Sequence, residues 1–171
     1  KNNVEKLSNI GRDINSSLSI ENIIKTIYKN VNTLMDATVF TIGLHKPESS
    51  ALEFPAAIEK GELLPAFVIP LSDENRLAVW CFNNRQEVVI NDYASDYSKY
   101  VGRLSAPIAG ETPESVLYLP LWNKDKVIGV ISAQSFSKNA YTDYHVNMLR
   151  NLATYSAIAL ENADAYRRLA V

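Results

Sequence analysis

The hydrophobic positions of this chain keep a helical period at both ends and a strand-like one between. Near the start, Val4, Leu7, Ile10 and Ile14 recur at three- and four-residue steps. After Ser19, a helix-capping residue type, Ile20, Ile23, Ile24, Ile27, Val31 and Leu34 repeat the pattern, so two helices open the chain. At the far end, Val146, Leu149, Ala153, Leu160 and Ala163 lay one apolar stripe along residues 142–169. Thr142 and Asp143 suit the positive end of a helix dipole, and Arg167 and Arg168 the negative end. At 1.5 Å per residue this helix is roughly 42 Å long, more than a compact domain with a radius of gyration of about 16 Å accommodates. With no Gly or Pro to stop it, it is expected to run on into a neighbouring part of a longer chain.

Between these ends the pattern predicts a sheet. Residues 37–45 are rich in β-branched and aromatic side chains, and Pro47, Glu48, Ser49 and Ser50 form a turn into a second strand at 52–59. A short strand follows at 67–71, then Ser72, Asp73 and Glu74 are placed to cap a helix carrying Leu77, Trp80 and Cys81, and another strand at 87–91. Residues 92–113 have no clean period, although Tyr93, Tyr97 and Tyr100 fall on one side of any helix formed there. Residues 114–122 and 126–136 read as two strands joined by Asn123, Lys124 and Asp125. Their near-continuous hydrophobicity implies burial on both faces. Strands flanked by helices at both chain ends predict an α+β domain on an antiparallel sheet. The first helices and the last would cover one face, leaving shorter elements and a pocket on the other.

Composition narrows the function. The chain has 171 residues, 47% hydrophobic and 21% charged, enough for a single domain with one well-filled core. A net charge of -2 does not provide the basic surface that phosphate neutralisation requires, so nucleic acid is not an expected partner. The apolar runs are far shorter than the ~20 residues of a membrane-spanning helix, so no membrane contact is expected within this segment. A single cysteine, Cys81, excludes an internal disulfide and fits a reducing, cytoplasmic setting. No Gly-x-Ser-x-Gly, metal-ligand cluster or Gly-rich phosphate loop is present, and two histidines leave little material for hydrolytic catalysis. The segment is expected not to be an enzyme.

Three stretches resemble the GAF domain family of small-molecule sensors. They are Ile69-Pro-Leu-Ser-Asp-Glu-Asn-Arg-Leu-Ala-Val-Trp80, Val88-Val-Ile-Asn-Asp-Tyr-Ala-Ser-Asp96, and Ser115-Val-Leu-Tyr-Leu-Pro-Leu-Trp-Asn-Lys-Asp-Lys-Val-Ile-Gly-Val130, the last leading to Tyr141-Thr-Asp and a long helix with Ala-Leu-Glu-Asn-Ala. The likeness spans about residues 20–169, and Val79 stands where many members have glycine. It implies a GAF/PAS-like six-stranded antiparallel sheet with N- and C-terminal helices on one face and short helices and loops over a pocket on the other. One domain over 1–171 is expected, with an N-terminal helix at 1–18, a sheet and pocket core at 20–141 and a signalling helix at 142–171.

The resemblance does not name a ligand, because one fold hosts many functions. Members that bind cyclic nucleotides carry an Asn-Lys pair after the last strand, then Phe and an Asp-Glu pair; here Gln134-Ser135, Tyr141 and His145-Val146 stand at about those places, so that motif is broken. Bilin-binding members attach the chromophore through a cysteine often followed by His or Tyr, whereas Cys81 precedes Phe82 and reads as a small buried hydrophobe. Haem would need an axial ligand such as histidine, and His45 and His145 both sit near element ends, where solvated positions are expected. Bilin and haem are therefore not expected. A methionine sulfoxide reductase shares the family's fold, but its cycle needs several cysteines.

The candidate ligand-binding residues are Trp80, Asp92, Tyr93, Asp96, Tyr97, Tyr100 and Gln134. The aromatic residues could give a pocket apolar walls with hydroxyl tips, and Gln134 could face either ligand or water. Asp92 and Asp96 match an acidic pair that the family shows after its fourth strand, and either could instead cap a turn. Leu7, Ile10 and Ile14 with Leu149, Ala153, Leu160 and Ala163 are the expected interface of a homodimer. The leading expectation is a sensor that binds a small molecule and passes the change through paired terminal helices. A ligand-free dimerisation or linker scaffold is the alternative, and a bilin photoreceptor a third.

Overall fold

The computed structural model describes residues 19–169, and the side chains of residues 19–163. The expected first helix, with Leu7, Ile10 and Ile14, lies outside the described residues. Helix α1 (Ile20–Leu34) begins where the Ser19 hydroxyl accepts the Asn22 N–H at 3.3 Å, and it buries Ile23, Ile24, Ile27 and Val31. Strands β1 (Val39–His45), β2 (Ala51–Glu59), β3 (Glu62–Leu64) and β4 (Phe67–Pro70) follow, then α2 (Leu77–Asn84), β5 (Val88–Ile90), the single turn α3 (Tyr93–Asp96) and a 3-10 turn (Tyr97–Lys99). Strands β6 (Ser115–Asn123) and β7 (Lys126–Ser135) lead into α4 (Asp143–Leu169).

The sheet is antiparallel throughout and runs β3-β2-β1-β7-β6-β5, with β4 also paired to β2. It holds seven strands rather than six because the outer edge of β2 is shared. Ala51 to Phe54 pair with β4, whereas Ala57, Ile58 and Glu59 pair with β3. Pro55 lies at the changeover, where its missing N–H leaves no ladder bond unmade, and the β1–β2 register shifts beside it. Lys60 (φ 53°) and Gly61 (φ 80°) form the two-residue hairpin turn that creates β3.

Alternate residues face opposite layers. Phe40, Ile42, Leu117, Leu119, Leu121, Ile131 and Ala133 pack against α1 and α4 in one core cluster. Leu149, Ala153, Leu160 and Ala163 of α4 are buried in that same cluster. The stripe expected to seek a second subunit is thus covered by the chain's own sheet and α1. The face of α4 that stays open carries Tyr144, Tyr155 and Ile158, the last two 73% and 50% exposed. At the start of α4, the Thr142 N–H donates to His145 Nδ1 at 3.0 Å, so a histidine three residues on closes the cap where a glutamate often does. His145 is therefore a capping group rather than a freely solvated one, and His45 packs its ring 5.0 Å from that of Phe82.

Glycine is needed at position 129. A Cβ there would run into the Gly43 carbonyl of β1, so the Val-Ile-Gly-Val stretch allows β1 and β7 to lie close. At the opposite edge, the Tyr100 hydroxyl accepts the Val89 N–H at 3.1 Å and donates to the Val89 carbonyl at 3.2 Å, covering the outer side of β5. One polar junction ties the ends of α1 and β7 to the approach to α4. Asp36 accepts from Thr38 N–H (3.0 Å), the Thr38 hydroxyl (2.6 Å) and the Ser135 hydroxyl (2.6 Å), while the Tyr141 hydroxyl donates to the Asp36 carbonyl at 2.6 Å. Among the described residues no helix is long and apolar enough to cross a membrane.

Candidate functional site

The face of the sheet turned away from α1 and α4 is covered by α2 and by the loop between the 3-10 turn and β6. Leu52, Phe54, Ile69, Leu77, Ala78, Cys81, Val88 and Val130 form a second core cluster there. Helix α2 starts at Leu77 rather than just after Ser72. Its N-cap is Arg76, whose guanidinium has no acceptor to offer the first-turn N–H groups; its Nε–H donates to the Asp73 carboxylate at 3.3 Å. Beside this cluster lies a cavity of about 110 Å³. Its floor is the sheet, at Val39, Thr41, Ala57, Val116, Tyr118 and Gln134; Arg76, Leu77, Ala78 and Tyr93 form one wall, and Ser105 to Glu111 supply the outer one.

Strand register explains the chemistry of the floor. One cross-strand row reads Ala57, Thr41, Ser132, Tyr118, Val88, and the next Glu59, Val39, Gln134, Val116, Ile90. Four uncharged polar residues therefore sit together on an otherwise apolar face. Gln134 Nε2 donates to the Tyr118 hydroxyl at 3.1 Å and to Ser132 Oγ at 2.9 Å. Desolvation pushes the Tyr118 phenol up to about 12, against the opposing pull of its hydrogen bonds with Ser132 and Gln134, so it stays a neutral hydrogen-bonding group at physiological pH. Burial likewise raises the Tyr93 phenol. Thr41 Oγ1 is enclosed without any hydrogen-bond partner, which a native fold tolerates at only a few positions.

Charged groups lie at the rim, and they are engaged. Arg76 bonds Asp73 and, through Nη1, the Ala106 carbonyl. Glu59 accepts the Glu111 N–H at 3.1 Å, and Lys60 Nζ is 2.6 Å from the Glu111 carboxylate. Asn75 accepts the Gly102 N–H at 3.1 Å and the Ser105 hydroxyl at 3.3 Å. The outer loop is thus tied to the sheet at one side and to the approach to α2 at the other. A second hollow, of about 130 Å³, lies between β6 and α4 beside Trp122 and the Arg150–Glu87 pair, whose two bonds are each 2.7 Å.

Of the seven residues read from sequence, Tyr93 and Gln134 line the cavity. Trp80 instead meets Tyr100 edge to face at 5.0 Å, and Tyr97 packs against the second core cluster with its ring 6.5 Å from that of Tyr93. Asp92 and Asp96 make no capping bond; Asp92 Oδ2 lies 3.7 Å from Lys138 Nζ, and Asp96 Oδ1 lies 3.5 Å from Lys99 Nζ. Asp92 Oδ1 is enclosed without a partner. Thr41, Tyr118 and Arg76 line the cavity although the sequence reading did not select them. Their signal was a polar residue inside an apolar strand, and for Arg76 a position immediately before the helix.

Cys81 is fully buried, lies off the cavity wall, and has its thiol pushed up by desolvation, with Glu87 adding to the effect. A buried thiol held in its neutral form is a weak nucleophile. His45 and His145 also lie off the wall. Among the described residues no group of three or more His, Cys, Asp or Glu comes together to hold a metal.

A sequence profile described as GAF domain matches residues 17–161. The formate hydrogenlyase transcriptional activator FhlA of Escherichia coli (strain K12) is 23% identical over 170 residues, covering 99% of this chain and 25% of the activator. The chain therefore spans about a quarter of the length of the curated relatives it matches. A solved fragment of a methyl-accepting chemotaxis protein, residues 122 to 287, superimposes with a TM-score of 0.70 at 21% identity, covering 91% of this chain and 97% of that one. The GAF domain of an Acinetobacter phosphoenolpyruvate-protein phosphotransferase gives 0.67 at 18% identity, covering 98% of each chain. These likenesses to solved structures speak to fold.

Proposed function

Because this chain belongs to the GAF domain family, we propose that it is the ligand-responsive module of a signalling protein, binding a small molecule in the cavity above the sheet and passing the effect to α1 and α4. It is proposed to act by binding rather than catalysis, inside the cytoplasm. One observation carries this reading. The strands that floor the cavity are the strands on which the two helices rest, so Thr41 faces the cavity while its neighbours Phe40 and Ile42 face the helices. A ligand that shifts β6, which brings Tyr118 to the cavity floor and carries α4 on its other face, changes the surface on which that helix lies. It does so only by the difference in its affinity for the two helix arrangements, and a coupling of about 1–3 kcal/mol is enough for regulation.

That a transcriptional activator and a chemotaxis protein contain similar domains supports a signalling role. Pairing of two copies is assigned to the open face of α4 around Tyr155 and Ile158, since Leu149, Ala153, Leu160 and Ala163 are occupied within the chain.

A thermal-shift screen over nucleotides, amino acids and aromatic metabolites tests the reading. A compound at about 100 times its Kd should add roughly 2.7 kcal/mol of stability. Hydrogen exchange in α4 should then change with a compound whose binding is abolished by filling the cavity with Ala78→Phe. Stabilisation by no compound favours the alternative, a scaffold that only joins helices.

A further inference from the structure

Resting on the reading of this cavity as a ligand site, we propose that its floor selects an uncharged, amide-type head group over a carboxylate. The groups that meet a ligand at the floor are Thr41, Gln134 and Tyr118, and none of them is charged. Gln134 gives its Nε2 hydrogens to Tyr118 and Ser132, which leaves its Oε1 as the free acceptor. Thr41 Oγ1 has no partner. Thr41 stands opposite Ser132, diagonal to Gln134, and such diagonal neighbours are about 7–8 Å apart on the sheet. An amide that gives its N–H to Gln134 Oε1 at about 2.9 Å takes the Thr41 hydroxyl on its carbonyl when a χ1 rotation turns Oγ1, enclosed in the free protein, into the cavity.

A carboxylate fits worse on two counts. It would set a negative oxygen against Gln134 Oε1, and the nearest cation on the wall, Arg76, already serves Asp73 and Ala106. Its charge would be desolvated without a counter-ion, which is expensive, whereas a neutral amide exchanges water for two matched protein groups. The volume of about 110 Å³ limits the head to a few heavy atoms; an engineered cavity of ~150 Å³ holds benzene. Any larger part of the ligand extends toward the loop at Ser105 to Glu111.

Matched isosteres on the isotopically labelled chain make the test, read by NMR at pH 7: propionamide against propionate, and isobutyramide against isobutyrate. The amides should move the Gln134 side-chain NH2 signals and the Thr41 amide signal, with affinity at least tenfold above the acids. Thr41→Val, which keeps the shape and deletes the hydroxyl, should reduce amide affinity several-fold. Acids that bind the cavity as well as the amides do, or amide affinity unchanged in Thr41→Val, overturn the proposal and leave the ligand-site reading standing. If neither class perturbs any cavity residue while the folded spectrum is intact, both fall together.

Discussion

Gln134 on β7 and Tyr118 on β6 are locked together across the two strands, Nε2 to phenol oxygen at 3.1 Å. The bond orients the amide on the cavity wall and makes the phenol part of the folded core. Because desolvation raises Tyr118 from its ordinary value of 10.0 to about 12, its contribution to stability is fully present below pH 10 and is lost as pH rises from there toward 12. The loss is on the order of 2 kcal/mol. Urea unfolding of the wild type and Tyr118→Phe between pH 8 and 11.5 should show a shallower alkaline decline in the variant; parallel curves would mean that the phenol is solvated.

Removing the unpartnered hydroxyl should help the free protein. Thr41 is only 7% exposed and its Oγ1 bonds to nothing, so Thr41→Val deletes a desolvated polar atom without opening a hole. A gain of about 1–2 kcal/mol in denaturant unfolding is expected, coupled to weaker ligand binding. A substitution that stabilises the fold while impairing binding is the signature of a group held for function.

Acid should act through Asp36. Burial opposes its charge, but the hydrogen bonds from Ser135 and Thr38 outweigh it and hold the carboxyl below its ordinary value of 3.8. With the folded value depressed, the stabilisation is complete above the ordinary value and is lost as pH falls below it. Asp36→Asn should be less stable at pH 6 by about 1–2 kcal/mol and should lose less on acidification to pH 3 than the wild type. Since the Tyr141 hydroxyl also meets the Asp36 carbonyl, that variant should raise hydrogen exchange at the start of α4 as well as at the end of α1.

The two faces of α4 should answer differently to the same charge. Leu160 is 2% exposed among the core residues under the helix, so Leu160→Glu should cost about 3 kcal/mol or more and leave little folded protein. Ile158, half exposed, should tolerate glutamate within about 0.5 kcal/mol. If copies pair through the open face, light scattering of Ile158→Glu should report a smaller species than the wild type. An unchanged mass would place any association elsewhere.

Much of this architecture was readable from the chain because burial leaves a period. The apolar runs of β6 and β7 and the stripe of α4 were visible for that reason, but a stripe records only that a surface is covered. It does not say whether the cover is a second subunit or the chain's own sheet, which is why Leu149 and Leu160 turned out to face inward. Strand β3 is not legible in the sequence because three residues carry no period, and only the left-handed Lys60-Gly61 turn marks it. The tyrosines at 93, 97 and 100 shared one side of a hypothetical helix, but the helix gives way to a 3-10 turn at Tyr97, and Tyr100 reaches the sheet edge instead. The cavity floor depends on register. Thr41, Tyr118 and Gln134 lie far apart in sequence, and only the β1–β7–β6 pairing brings them onto neighbouring rows.

The pair of hydrogen bonds between the Tyr100 hydroxyl and Val89 bears on how such a domain avoids unwanted company. A three-residue border strand with both main-chain groups free would invite an extended peptide, or another molecule of the same protein, to dock as a further strand. Here one phenol occupies the donor and the acceptor at the middle of that border, so growth of the sheet in that direction is forestalled by a single side chain.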